Sequence, residues 1–176
     1  MKGKVFRLIC AAVLTLGLAI PGAAFAAGGG KGCNLQGTWF GVIDLEDKMP
    51  SGWVVTATGQ SANSGVNVFE FPTYDSTFGG LYPVLHHSAN RGVWERISGN
   101  SFRYTFMSIL AGESDGVRFP LYYLRVSGTT TLSDDCMSEE ITSVMEFFPA
   151  DTSPFEGEPL WSMTLPVHYG YRLTLE

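Results

Sequence analysis

Few side chains in this 176-residue sequence have the type and spacing to move a proton in one place. Glu95, Tyr104 and His168 are the candidates, because a carboxyl, a phenol and an imidazole become useful acids or bases when a dry site retunes them. Glu95 and Arg96 are adjacent in an alternating run, so a strand there turns one of them inward. The competing reading is a cross-strand charge contact worth under ~1 kcal/mol. A second set is aromatic and apolar. Phe102, Tyr104, Phe106, Trp161, Met163, Tyr169 and Tyr171 would suit a flat or apolar molecule, with tyrosine hydroxyls to orient it. Ordinary core packing is the alternative for any one of them.

Other chemistries lack residues. His86 and His87 are neighbours and point to opposite sides of an extended chain, so with His168 they make no metal-ligand set. Gly-x-Ser-x-Gly and lysine-bearing phosphate loops are absent, and no metal or cofactor is expected.

The N-terminus carries Lys2, Lys4 and Arg7, an apolar run from Cys10 through Ile20, and the small-residue site Ala24-Phe25-Ala26. This pattern predicts a secretory signal over residues 1–26. The run is shorter than the ~20 residues that cross a bilayer, and no later segment is long and apolar enough to span one. Cleavage leaves 150 residues and takes the net charge from −6 to −9. So acidic a surface disfavours nucleic acid and anionic lipid as partners. Cys33 and Cys136 remain as an even pair, which in an exported chain predicts a disulfide. Closing a loop of about a hundred residues would stabilise the fold by ~4 to 5 kcal/mol. The expected destination is the periplasm or the medium.

The elements that must position these side chains are strands. Hydrophobic residues make up 45%, aromatics 13% and charged residues 16%, with 21 glycines and 9 prolines, a composition that favours pleated segments joined by turns. After a glycine-rich leader at 27–32, about eight strand-like runs fill residues 33–176. They are Gly37–Asp44, Trp53–Thr58, Val66–Phe71, Gly92–Ile97, Phe102–Leu110, Val117–Leu132, Met137–Phe148 and Trp161–Leu175. Phe102, Tyr104, Phe106 and Leu110 share one face of their run. Pro120 predicts a bulge or an edge within the sixth. In the last run the apolar parity, Trp161 to Leu175, is expected to face inward, with Pro166 and Gly170 able to divide it. A long aromatic loop from Pro72 to Asn90 is a candidate lid.

Half-buried antiparallel strands without a helix pattern leave a sandwich or a closed barrel. The barrel is expected, because an unpaired terminal strand this long would be a hazardous edge unless it paired with the first. A lipid-facing outer-membrane barrel is the disfavoured variant.

Gly37-Thr38-Trp39 resembles the Gly-x-Trp signature of lipocalins and related calycin barrels, whose tryptophan plugs the closed end of an eight-stranded barrel. Gly92-Val93-Trp94-Glu95-Arg96, Gly99 and Tyr104-Thr105-Phe106 resemble the central hairpin of bacterial lipocalin-like proteins whose function is poorly defined. The resemblance implies an all-β, single, antiparallel, up-and-down barrel. In kernel lipocalins a basic residue near the barrel's end packs over that tryptophan; Arg172 stands at the matching place but on the parity opposite to the apolar face. Three functions follow as expectations: an exported barrel holding a small hydrophobic or aromatic molecule, a cofactor-independent cyclase or isomerase, or a protein-binding or inhibitor domain.

Overall fold

The computed structural model describes residues 32–44, 51–70 and 86–175. The predicted signal, all but the last residue of the leader, and residues 72–85 of the candidate lid lie outside them. The described residues contain ten strands and no helix: β1 (Gly37–Ile43), β2 (Ser51–Gly59), β3 (Ser64–Glu70), β4 (His86–His87), β5 (Asn90–Ser98), β6 (Ser101–Ser114), β7 (Val117–Leu132), β8 (Ser138–Pro149), β9 (Trp161–Thr164) and β10 (His168–Arg172). No helix there is long and apolar enough to cross a membrane.

All pairings are antiparallel, and β1, β2, β3, β5, β6, β7, β8 and β10 follow one another around a closed barrel. The seam is the predicted one: β10 returns to β1 from Trp39↔Arg172 to Val42↔Tyr169. Closure leaves neither partner as an open edge. β4 extends the sheet on β6, and β9 extends it on β8. Between β6 and β7 the turn residues Asp115 (φ 52°) and Gly116 (φ 75°) are both left-handed, the two-residue turn whose twist matches that of its strands. The bulge expected at Pro120 is present, for Leu110 pairs with Tyr122 while Ala111 pairs with Pro120.

The last run corrects its expected facing. Trp161 and Met163 of β9 pair with Phe147 and Met145, on the parity that β8 turns inward. Beyond Pro166, however, the buried residues of β10 are His168 and Gly170, while Tyr169 and Tyr171 are 51% and 60% exposed. The break at Pro166 shifts the chain by one residue, and since side chains alternate with period two, every residue after it changes face.

Large inward residues are paired with glycine across the ladders. In register across neighbouring strands stand Trp53 and Gly41, Trp94 and Gly65, Asn67 and Gly92, Tyr104 and Gly128, and Glu139 and Gly170. A Cβ at Gly65 would come 2.7 Å from Trp94 Nε1, and one at Gly128 2.7 Å from Tyr104 Oη. These glycines are spaces into which side chains lie flat, the large-and-small alternation that lets a small barrel close around its own residues.

One end of the barrel is sealed. Cys33 and Cys136 form the predicted disulfide, Cα–Cα 5.4 Å. Fully buried Trp39 donates from Nε1 to the Leu35 carbonyl at 2.8 Å, and the Arg172 guanidinium lies 4.4 Å from its ring centroid. Arg172 donates to the carbonyls of Cys136, Gln36 and Asn34 at 3.0, 2.8 and 2.5 Å. Thus Arg172 does cover the first-strand tryptophan, because the face change at Pro166 brings it there. Arg96 is a second plug, over the ring of buried Phe102 and bonded to the carbonyls of Cys33 and Gly99.

Candidate functional site

Between that floor and the opposite mouth runs a belt of rings. Trp53 of β2 stacks on Phe69 of β3 (5.8 Å between centroids), Phe69 on Phe106 of β6 (4.5 Å), and Phe106 faces Tyr104 (6.1 Å). β5 lies between β3 and β6, and its inward residue at that level is Gly92, so Phe69 and Phe106 can meet across it. The rings turn their faces toward one another and make this level of the interior apolar.

Polar groups complete the belt. Tyr104 Oη bonds to Ser143 Oγ of β8 at 2.5 Å. Burial holds the phenol well above its ordinary pKa, with the Ser143 bond pulling back and the charge of Glu139 adding to the rise. Thr130 Oγ1 of β7 donates to Glu139 Oε2 at 2.7 Å. The other carboxylate oxygen, Oε1, has no hydrogen-bond partner among the described residues; it lies over Gly170, where a Cβ would come 2.6 Å from it and 2.6 Å from the edge of the Trp53 ring. Glu139 is 5% exposed. Burial pushes its carboxyl up from 4.5 to about 7, against the Thr130 bond and the charge of Arg172. His168 sets its ring edge-on to Trp53 at 6.0 Å and bonds through Nδ1 to the Pro166 carbonyl at 2.9 Å. Burial lowers its pKa more than that bond raises it.

Three buried atoms of the belt and its surroundings lack hydrogen-bond partners among the described residues: Trp53 Nε1, Asn67 Oδ1 and Asn90 Oδ1. Trp94 Nε1, toward the sealed floor, is a fourth. An unmet buried polar group costs about 1–3 kcal/mol, so such atoms call for an explanation.

No protein-family model, no curated protein and no solved structure matches this chain.

Of the residues singled out from sequence, Tyr104 and Phe106 pack together inside the barrel, and His168 is inside as well, against Trp53. Phe102 is inside as well, but in the floor, edge-on to Trp94 at 5.7 Å. Trp161, 37% exposed, packs on Phe147 at 5.1 Å, with half-buried Met163 beside it on the short strand β9. Tyr169 and Tyr171 are on the outer face and line nothing inside. Glu95 also faces out, paired with Arg103 across the β5–β6 ladder, which removes it as an interior acid. That outward pair weighs against a lipid-facing wall, where charge is costly. The side chain of His86 is outside the described set, while His87 accepts from or donates to Ser108 Oγ through Nε2 at 3.3 Å.

Glu139, Ser143, Trp53 and Phe69 were not foreseen. The signal was present for the first two: Glu139 and Ser143 share parity with Ile141, Met145 and Phe147, so a strand that buries those three buries the polar pair as well. Chemically, the belt offers a carboxyl able to change charge near neutrality, a hydroxyl pair held neutral, and a stack of apolar rings.

Proposed function

We propose that this chain is an exported, lipocalin-like barrel that holds a small flat apolar or aromatic molecule in its interior. The observation that carries the reading is the stacked belt Trp53–Phe69–Phe106–Tyr104 with partnerless polar atoms turned in among its rings. Aromatic and apolar linings with a few polar groups are how proteins take up drug-sized molecules. Export rests on the signal-like residues 1–26, and the Cys33–Cys136 disulfide fits an oxidising compartment. The test is titration with ethylnaphthalene, a neutral planar probe, followed by tryptophan fluorescence and melting temperature. Quenching together with a concentration-dependent rise in melting temperature is expected. A flat response in both sinks the reading.

A second reading, a protein-binding exterior, is favoured by one observation. Phe40 and Val42 of β1, paired with Tyr171 and Tyr169 of β10, put four exposed apolar side chains side by side on the outer face. Tyr171→Ser would weaken such an association and leave probe uptake unchanged. A cyclase or isomerase would draw its acid–base groups from Glu139, Tyr104 and His168 instead of Glu95.

A further inference from the structure

We infer that the interior selects a primary arylalkylamine, its ring against the Trp53, Phe69 and Phe106 rings and its ammonium group on Glu139 Oε1. The inference rests on the interior-binding reading and names its ligand class.

Geometry carries it. Glu139 is enclosed by β7, β8 and β10, and only one of its two oxygens has a partner, the Thr130 hydroxyl. Arg172, the nearest cation on β10, gives its guanidinium nitrogens to the Cys136, Gln36 and Asn34 carbonyls and forms no ion pair with Glu139 among the described residues. The remaining oxygen lies against Gly170 and near the edge of the Trp53 ring, so close that a Cβ on Gly170 would come 2.6 Å from both. An acceptor-only oxygen at the edge of an aromatic stack recognises a donor, and a charged donor most strongly. The acidic chain, net −6 as a whole, concentrates cations around it. Tyr104 and Ser143 already bond each other, so the partnerless donor left to an acceptor-only ligand among the described residues of the belt is the uncharged Trp53 indole N–H, a weaker partner than a carboxylate for a charged donor.

The groups facing Glu139 also define a pH signature. Arg172 stays charged; Tyr104 is held neutral by burial; His168 is held below its ordinary value of 6.5. Glu139, at about 7, is then the facing group whose charge changes between about pH 6.5 and about pH 8, while an alkylammonium remains protonated throughout. Preference for the amine therefore grows with pH across this range.

The experiment compares naphthylmethylamine with its neutral isostere ethylnaphthalene on the full folded chain and on Glu139→Gln, by fluorescence titration. The expected result is an amine preference of about ten- to a hundredfold at pH 8, smaller at about pH 6.5, and lost in the variant. Equal binding of the two probes overturns the inference and leaves the interior reading standing. A preference that persists in Glu139→Gln, or that is flat with pH in the unaltered protein, overturns the assignment to this carboxyl. Binding of neither probe overturns the inference and the interior reading together. The pH arm needs no substitution, so it decides the matter even where the variant folds poorly.

Discussion

The floor of the barrel and the belt above it are built from similar residues, tryptophan, phenylalanine and a charged side chain, yet they treat polar atoms in opposite ways. In the floor, Trp39 Nε1 has its carbonyl, and both arginines are bonded to backbone carbonyls from several loops. In the belt, an indole nitrogen and two amide oxygens are buried without partners among the described residues, and the hydrogen bond of the Glu139 carboxylate is made by one of its two oxygens. Trp94 is the exception on the floor side. Satisfied polar groups around a disulfide make a rigid base, whereas unsatisfied ones reduce stability and are retained where something else completes them. The difference separates two levels of one interior, one with its polar atoms largely satisfied and one without.

The strongest way to break the comparison is to cut the staple. Replacing Cys33 and Cys136 together by serine is expected to cost ~4 to 5 kcal/mol, because the bridge closes a separation of 103 residues. Denaturant unfolding measures it. If floor and belt are distinct, the affinity for ethylnaphthalene below the new midpoint stays where it was; a parallel loss of affinity would merge them.

The next effect belongs to the belt and carries a definite sign. Glu139 titrates at about 7 in the folded chain against an ordinary 4.5, so between these values the folded protein keeps a proton that the unfolded chain has released. Raising the pH through that window removes stability, up to about 3 kcal/mol. His87 and His168, lowered by burial, act the other way: their contribution is present above the ordinary 6.5 and falls away as pH drops through their folded values. Measuring the protein against Glu139→Gln removes the histidine contribution, which both share. Relative to the variant, the unaltered protein should lose urea resistance from about pH 4.5 to about pH 7.5. A constant difference across that range contradicts a buried, protonatable Glu139.

Arg172→Met sharpens the boundary between the two regions, because Arg172 belongs to the floor while its charge reaches the belt. Loss of its donors at three carbonyls is expected to cost about 2 kcal/mol, read from the urea midpoint. Its charge also pulls the Glu139 carboxyl down, so the variant should titrate Glu139 at a higher pH than the parent. An unmoved titration would show that the floor is electrically isolated from the belt.

Much of this arrangement was legible because alternation survives wherever a strand is unbroken. Phe102, Phe106 and Leu110 are buried together as their spacing requires, and the seam between β1 and β10 follows from the need to cover a terminal edge. Facing was lost where a local break resets the count. Pro166 interrupts the last run between β9 and β10, and a shift of one residue sent Tyr169 and Tyr171 outward and His168 and Arg172 inward. The inward glycines were hidden for another reason: a glycine in sequence looks like a turn, whereas Gly41, Gly92, Gly128 and Gly170 are spaces defined by a side chain on the next strand. Only the register tells the two apart.

The smallest effect tests the facing of β5. Glu95 stands beside Arg96, and alternation allowed either to point in; the plug over Phe102 took Arg96, which left Glu95 outside against Arg103, with both side chains well exposed. An exposed pair of this kind contributes under ~1 kcal/mol, since water screens it and ordering two long side chains offsets its attraction. Glu95→Gln should therefore move the urea midpoint barely, less at high salt, and leave probe affinity and its pH dependence untouched. Tyr104→Phe, on the opposite face of the same hairpin, strips Ser143 of its phenol partner inside the barrel and should alter probe affinity. If the ranking came out reversed, with Glu95 governing binding and Tyr104 silent, the face of β5 and β6 assigned to the interior would be the wrong one.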